Sequence, residues 1–222
     1  QFFTDQQQKL QQQLRQFFPD EQWLVIDTHA KEHLLFVFSS TNPGQYFLYE
    51  QGSKPQLIGS VLPDLSKYQL APSIKLSVKG RDNLAIESLL TLPTQKGKSA
   101  PPLLVMPHGG PIGIQDTDGF DPTVQFLASR GYAVLRTNFR GSAGYGKKFS
   151  EKGVAALGDG IEQDIRGAVE LVRKEYKTDR ACAMGYSYGG YSAMMLAIKE
   201  PDFYQCVIAG YGIYDLPLLF NA

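Results

Sequence analysis

The spacing of apolar residues takes three forms along the chain, and each form predicts a different kind of element. Near the start, Thr4 precedes a set of apolar residues at helical spacing, namely Leu10, Leu14, Phe17 and Phe18. Gln7 stands three residues after Thr4, which is the spacing of a capping box. The pattern predicts a docked helix that begins after Thr4 and ends at Pro19.

Strand-like runs come next. Three of them, residues 23–29, 33–39 and 45–50, are rich in β-branched and aromatic residues and are joined by links of hairpin length. They predict an antiparallel meander of about 35 residues, which is too small to be stable alone. Such a unit is typical of one blade or one sheet of a larger β domain. The chain holds no second copy of it, so the sequence gives no evidence of a repeat.

The third form begins near residue 70. Residues 73–79 and 85–93 alternate around a turn at 80–83 and predict a hairpin. From Pro101 onward, short apolar strands alternate with amphipathic helices, ending with the strand 181–186, the helix 188–200 and the strand 204–210. This alternation predicts an α/β fold with a doubly wound, mostly parallel sheet. We therefore expect one domain in residues 1–70 and another in residues 71–222.

The segment "MGYSYGGY" contains G-x-S-x-G, formed by Gly185, Ser187 and Gly189. It lies between a predicted strand and a predicted helix, so Ser187 falls at a sharp strand-to-helix turn where only glycine fits on either side. A serine at such a turn projects beside a helix N-terminus and is a candidate nucleophile. The alternative is a turn of small residues that packs the strand against the helix.

A second glycine-rich loop, "HGGP", follows the buried strand at residues 103–106. Gly109 and Gly110 allow backbone N–H groups to face a site at the end of the sheet, as in esterases, and we interpret both as substrate-binding. The N–H of Tyr188, next after Ser187, is the other candidate donor. His108 has two interpretations, a structural loop residue or a direct role at the oxyanion site.

Together, "HGGP", "FLASRGYAVLRTNFRGSAGYGKKF" and "GYSYGGY" resemble the prolyl oligopeptidase family of serine peptidases, nearest its acylaminoacyl-peptidase and dipeptidyl-peptidase-like bacterial members. The resemblance implies an α/β-hydrolase fold in residues 71–222, preceded by the end of a β-propeller. It implies that Ser187 is the nucleophile, that the Tyr188 N–H and His108 form the oxyanion hole, and that Ile213 lines the apolar S1 pocket. The sequence "HGGPIGIQD" departs from relatives that carry an aromatic residue after the proline.

Charge and composition exclude some partners. Lys plus Arg and Asp plus Glu number 22 each, so no net charge favours nucleic acid or an anionic membrane. No apolar run approaches the roughly 20 residues of a membrane-spanning helix. We expect a short peptide substrate, no cofactor and no metal. The sequence does not decide whether the full-length enzyme forms a homo-oligomer. Both Cys182 and Cys206 lie in apolar runs and are interpreted as buried thiols. A single disulfide between them is the alternative, so the sequence does not determine the redox compartment.

The rest of a catalytic triad is not evident. A serine nucleophile needs a histidine base held by a carboxylate, and in α/β-hydrolases both follow the serine. None of the 35 residues after Ser187 is histidine, and the chain begins with Gln1. We therefore expect the triad acid and base beyond Ala222 and the propeller to start before Gln1, which would leave this chain alone inactive. A carboxylesterase and a non-catalytic scaffold of the same fold are the alternative functions.

Nearby polar residues receive structural interpretations. Asn138 and Arg140, in "NFRGSAGYG", are expected to brace the loop rather than to act in catalysis. Asp159 and Asp164 lie near the start of the long helix at 160–176 and are expected to interact with its dipole.

Overall fold

The computed structural model describes residues 4–80, 82–95, 97, 99–178 and 180–215. Within them the chain forms two compact units. The first comprises the residues up to Leu70 together with Asp118–Pro122, and the second comprises Ala71–Thr117 and the residues from Thr123 on. Arg81, within the turn predicted at 80–83, lies outside the described residues.

The first unit opens with the predicted helix, α1 (Asp5–Phe17). Thr4 caps it by accepting a hydrogen bond of 3.2 Å from the Gln7 N–H, and the Thr4 hydroxyl lies 3.1 Å from Gln7 Oε1. The apolar stripe packs into a small core, which holds Leu14, Phe18, Leu35, Val37 and Tyr49. The prediction of a capped, docked helix is confirmed.

A four-stranded antiparallel sheet completes this unit. Its strands are β1 (Gln22–His29), β2 (Glu32–Ser39), β3 (Asn42–Glu50) and β4 (Gln56–Ser60), and they lie in the order β1-β2-β3-β4. The first three match the predicted meander, whereas β4 was not predicted. Four of its five residues are exposed, so it carries no alternation of buried and exposed positions that a sequence could reveal. A short 3₁₀ turn follows at Pro63–Lys67.

The second unit contains one six-stranded mixed sheet and four helices among its described residues. In chain order its elements are β5 (Ser73–Lys79), β6 (Ala85–Thr91), β7 (Leu103–Val105), α2 (Pro122–Ser129), β8 (Ala133–Asn138), α3 (Lys147–Glu151), α4 (Gly160–Tyr176), β9 (Ala181–Tyr186), α5 (Tyr188–Lys199) and β10 (Tyr204–Gly210). The strands lie in the order β10-β9-β7-β8-β6-β5. The pairs β10–β9, β9–β7 and β7–β8 are parallel, and β5 and β6 form the predicted antiparallel hairpin.

This topology places the candidate site. The chain leaves β7 for β8 on one side and later returns to β9 on the other side, so the strand order reverses around β7. In open α/β sheets, ligands bind beyond the carboxyl ends of the strands at such a point. The loop at His108–Pro111 follows β7 and the turn at Ser187 follows β9. The two sequence motifs therefore come to the same edge of the sheet.

Burial in the sheet explains the apolar strands. All six residues of β8 are buried, as expected for a strand covered on both faces. Helix α4 contributes an apolar stripe to the same core, formed by Ile161, Ile165, Ala168, Val169 and Val172. In the part of the chain that the structure describes, no helix combines the length and the apolar character that crossing a membrane requires.

The interpretation of the cysteines as buried thiols is wrong. Cys182 on β9 and Cys206 on β10 are register partners on adjacent parallel strands, with Cα atoms 4.7 Å apart, and they form a disulfide. Cys206 is exposed and Cys182 is half-buried. The apolar neighbours of both residues suggested burial. Pairing depends instead on the register of the two strands, which the spacing of two cysteines in the sequence does not give.

Candidate functional site

Ser187 lies at the turn between β9 and α5, with φ +56° and ψ −127°. A positive φ is uncommon for a residue other than glycine and stores backbone strain, which proteins tend to retain at functional positions. The Ser187 side chain is exposed, and its Oγ has no hydrogen-bond partner among the described residues. The strand–turn–helix context predicted from G-x-S-x-G is therefore present.

The flanking glycines are required by close backbone contacts. A Cβ on Gly185 would overlap the carbonyl oxygen of Gly189, and a Cβ on Gly189 would overlap the carbonyl oxygen of Pro107. In both cases the obstacle is backbone rather than a flexible side chain. The two glycines therefore let the turn close tightly and let the loop after β7 pack against it.

Main-chain hydrogen bonds hold the turn. The Ser187 N–H donates to the Gly210 carbonyl of β10 at 3.0 Å, and the Ser187 carbonyl accepts from the Gly190 N–H at 2.9 Å. Tyr188 is the first residue of α5, so its backbone N–H has no acceptor within the helix. This free N–H and the positive end of the helix dipole lie beside the serine, where they favour negative charge.

The HGGP loop lies directly against this turn. A Cβ built on Gly109 would come within 3.8 Å of Ser187 Cβ and 3.6 Å of the Tyr186 carbonyl oxygen. Gly110 has φ +120°, which a side chain would strain. The structure therefore brings Ser187, Tyr188, Gly109 and Gly110 together.

The His108 ring is held inside its own loop. Its Nδ1 lies 2.7 Å from the Gly109 carbonyl oxygen, its Nε2 lies 2.9 Å from Ser142 Oγ, and the ring stacks on Phe139 at 4.1 Å. Because a carbonyl oxygen only accepts, Nδ1 carries the proton of the first contact. Burial lowers the pKa of His108, which favours the neutral ring with a single N–H. That N–H already points at Gly109, so Nε2 accepts from the Ser142 hydroxyl, which then cannot donate to the Phe139 carbonyl 2.7 Å away.

The next loop supports the first. Backbone hydrogen bonds join Gly113 N–H to the Gly141 carbonyl at 3.0 Å and Ala143 N–H to the Ile114 carbonyl at 2.9 Å. The 141–143 segment follows Arg140, which is fixed by a buried carboxylate.

Arg140 contacts Asp164 through its backbone N–H at 2.9 Å, Nε at 2.8 Å and one terminal nitrogen at 2.8 Å. These bonds with Asp164 raise the pKa of Arg140. The interpretation of Arg140 as a loop brace agrees with this geometry. The interpretation of Asp164 as a helix-dipole residue is wrong, because its fully buried carboxylate is committed to Arg140.

Ile213 follows β10 and is half-buried, in a stretch whose Tyr211 and Tyr214 are exposed. No contact described for this part of the chain ties its side chain to Ser187, so its assignment to an S1 pocket stays a prediction. His108 is the only histidine in the sequence of this unit, and both of its ring nitrogens are engaged. The described residues of this unit therefore offer no imidazole to Ser187.

Three side chains behind the site were not predicted: Phe139, Ser142 and Glu162. Glu162 lies under α5, where its Oε1 accepts a hydrogen bond of 3.2 Å from the Tyr188 hydroxyl. A signal was available, because Glu162 precedes Ile165, Val169 and Val172 at helical spacing and so falls on the apolar stripe of α4. Phe139 and Ser142 lie within the quoted motif "NFRGSAGYG", but nothing in their spacing indicates a histidine partner.

Comparisons with known proteins agree with the fold and with the motifs. Residues 118–221 match the model of the prolyl oligopeptidase family. The chain is 32% identical over 213 residues to dipeptidyl aminopeptidase BIII of Pseudoxanthomonas mexicana, covering 91% of this chain and 29% of that protein. It is 34% identical over 130 residues to the acylamino-acid-releasing enzyme of Mus musculus, covering 57% of this chain and 18% of that enzyme.

A solved structure shows the same fold. The acylaminoacyl peptidase in complex with Z-Gly-Gly-Phe-chloromethyl ketone superposes with a TM-score of 0.71 and 26% identity, over 85% of this chain and 31% of that one. These two proteins match most of this chain, but the chain spans only about three tenths of the length of each of them. The second unit has the α/β-hydrolase fold, and the antiparallel sheet before it corresponds to the propeller side of such peptidases. Residues 118–221 therefore match the prolyl oligopeptidase family, and the chain as a whole is similar to peptidases of that family.

Proposed function

We propose that this chain carries the nucleophile and the oxyanion-binding part of a serine peptidase that hydrolyses short peptides. The observation that carries the proposal is Ser187 itself, exposed at a strained strand-to-helix turn with Gly109 packed against it. Ser187 Oγ gives its proton to a general base, which the described residues of this chain do not supply, as it attacks the carbonyl carbon of the scissile bond, and the carbonyl oxygen becomes negatively charged. The base returns the proton to the amine as the C–N bond breaks. The amine leaves as the acyl-enzyme forms, and water then hydrolyses the ester.

The oxyanion receives hydrogen bonds from two sides. One donor is the Tyr188 N–H, which has no acceptor within α5. We assign the other to the backbone of the Gly109–Gly110 pair, because the single proton of a neutral His108 is already donated to Gly109. In this proposal His108 holds the loop in shape and does not touch the substrate.

The substrate class rests on the relatives. The matched proteins are named as a dipeptidyl aminopeptidase and an acylamino-acid-releasing enzyme, and the matched structure holds a peptidyl chloromethyl ketone. An oligopeptide or an N-acylated amino-acid derivative is therefore the proposed substrate. The exposed side chains of Ile112, Ile114 and Tyr186 near the two loops are consistent with apolar peptide side chains.

The test is a matched pair of serine variants in the protein expressed from its complete reading frame. Ser187→Ala should lower kcat for a peptide anilide by several orders of magnitude and abolish fluorophosphonate labelling, while the melting temperature hardly moves. Ser129→Ala removes an exposed hydroxyl that bonds only to the Phe126 carbonyl, so it should leave kcat unchanged. Labelling that survives in Ser187→Ala would show that Ser187 is not the nucleophile. If the wild-type protein hydrolysed esters but not peptide anilides, a carboxylesterase would be favoured.

A further inference from the structure

A buried carboxylate lies directly beneath the first turn of α5. Glu162 is 2% exposed, and its Oε1 accepts a hydrogen bond of 3.2 Å from the Tyr188 hydroxyl. Its Oε2 is buried without a hydrogen-bond partner in the described structure. Glutamate is rarely buried in this way, because removing a carboxyl group from water is costly. An apolar residue at this position would avoid that cost, so we expect the carboxylate to have a function that an apolar residue could not serve.

The partner of Glu162 is the residue whose N–H faces the oxyanion. The Tyr188 side chain is 1% exposed, and its ring packs 5.6 Å from Tyr191 and 6.1 Å from Phe139. Burial, together with the neighbouring Glu162, raises the pKa of the Tyr188 hydroxyl, so it stays protonated and remains a donor. Two tilted ring contacts and the hydrogen bond at the hydroxyl restrict the orientation of this ring.

The same packing reaches the other side of the site. Phe139 contacts the Tyr188 ring at 6.1 Å and also stacks on the His108 ring at 4.1 Å. Glu162, Tyr188, Phe139 and His108 thus form one continuous row of contacts. Its two ends reach the HGGP loop and the buried carboxylate, and the turn with Ser187 lies between them.

We propose that Glu162 is a positioning residue for the oxyanion site: it fixes the Tyr188 hydroxyl and thereby the direction of the Tyr188 backbone N–H. Glu162 does not touch the substrate and acts only through Tyr188. A hydrogen-bond donor that stabilises a transition state must already point at the place where charge develops. This inference rests on the proposed function, because it assumes that an oxyanion forms at Ser187.

The test compares Glu162→Ala, Glu162→Gln and Tyr188→Phe in the protein expressed from its complete reading frame. A misdirected donor should lower kcat of Glu162→Ala about 10- to 100-fold and leave KM within about twofold, since the donor acts mainly in the transition state. The inhibition constant of a peptide aldehyde, whose adduct with serine carries the oxyanion, should rise by the same factor. Glu162→Gln keeps an oxygen acceptor for Tyr188 and should recover most of kcat.

A double variant tests whether the two residues act as one unit. Tyr188→Phe should lose as much kcat as Glu162→Ala, and combining them should cost no more than either alone. Glu170→Ala is the matched control, because Glu170 lies on the exposed face of the same helix and, among the described residues, pairs with Arg166 alone. It should change neither kcat nor the aldehyde constant. If Glu162→Ala fails to fold, Glu162→Gln and Tyr188→Phe still decide the question, by rescue in the first and loss in the second.

The outcomes separate this inference from the proposed function. A normal kcat in both Glu162→Ala and Tyr188→Phe, or a loss confined to KM, would overturn the role of Glu162. So would a loss of kcat without any change in the aldehyde constant. Fluorophosphonate labelling that persists in Ser187→Ala would instead overturn the proposed function. Titrating the active serine in each variant prevents an unfolded fraction from being counted as lost kcat.

Discussion

The turn that carries Ser187 is shaped by the main chain, whereas the loop that carries Gly109 is shaped by side chains. At the turn, Gly185 and Gly189 leave no room for a Cβ, and Ser187 itself bonds to Gly210 through its N–H. At the loop, His108 is held by Ser142 and Phe139. At each of these glycines any side chain would overlap backbone atoms. The loop is instead held by several side-chain contacts, which can be removed one at a time.

The largest effect is expected at the turn. In Gly189→Ala the new methyl group would overlap the Pro107 carbonyl, which is backbone and cannot move aside, so we expect a loss of about 4 kcal/mol or more in the free energy of unfolding. Urea denaturation measures it. Gly167→Ala is the control, since a Cβ there meets Val78 at an ordinary 3.4 Å and a helix gains up to about 1 kcal/mol from alanine. Equal stability of the two variants would contradict the main-chain account.

The next effect concerns the support of the loop. Asp164→Ala leaves Arg140 partly buried with only the more exposed Asp82 as a partner, so the free energy of unfolding should fall by about 3 kcal/mol. Chemical denaturation gives the value. Asp82→Ala removes the exposed partner alone and should cost about 1 kcal/mol or less. A larger loss in the free energy of unfolding for Asp82→Ala than for Asp164→Ala would show that Asp82, and not Asp164, is the main partner of Arg140.

A smaller effect separates a brace from a donor at His108. Ser142→Ala leaves the imidazole in place but removes the hydroxyl that meets Nε2, so the loop loosens and kcat should fall about tenfold with little change in KM. Ser150→Ala, which removes one 3.3 Å bond to the Ser142 carbonyl, is the control. If His108 donates directly to the oxyanion, His108→Ala should lose about 10²–10³ in kcat while Ser142→Ala stays near wild type. Steady-state kinetics on the three variants distinguish the two roles.

The smallest effect is a pH dependence at Glu162. Burial raises the pKa of this carboxyl above its ordinary 4.5, so the folded protein holds the proton more tightly than the unfolded chain. The resulting stabilisation is complete below pH 4.5 and is lost as pH rises through the raised pKa. Glu162→Gln has no titrating carboxyl at this position, so wild type should lose stability relative to Glu162→Gln across that window. Tyr188, Tyr191 and Lys199 face Glu162, and the raised pKa values of the two tyrosines keep both protonated throughout it.

Thermal denaturation at matched pH values measures this difference. Glu170→Gln, at an exposed position of the same helix, should run parallel to wild type at every pH. A wild-type curve that gains stability relative to Glu162→Gln as pH rises would have the wrong sign and would show that Glu162 is held as a favourable carboxylate.

The sequence predicted the main-chain part of the site but, apart from Arg140 as a loop brace, not the side-chain part, for a physical reason. G-x-S-x-G is local in sequence, and a Cβ on Gly185 would clash with the Gly189 carbonyl that the turn itself brings near, so the motif predicted the strand, the turn and the helix. The clash at Gly189 is with the Pro107 carbonyl, which comes from the loop after β7. His108 meets Ser142 34 residues further along the chain, and Glu162 meets Tyr188 26 residues further along. Contacts of that kind depend on the order of strands and helices in three dimensions.

The same distinction explains the other errors. The Cys182–Cys206 disulfide depends on the register of β9 and β10, and the exposed strand β4 lacks the burial that produces alternation. Asp164 was assigned to the helix dipole because its neighbours in sequence are helical, whereas its partner Arg140 comes from the loop after β8. Local patterns predicted the elements, and non-local pairs supplied the braces.

The most direct test of the central claim is to find which residue a fluorophosphonate modifies. The protein expressed from its complete reading frame would be labelled, reduced and digested with trypsin, which releases residues 181–199 as one peptide containing Ser187 and Ser192. Fragment masses assign the adduct to one of the two serines. We predict a single adduct on Ser187, because Ser192 is fully buried in α5. An adduct on any other residue, with Ser187 unmodified, would contradict it.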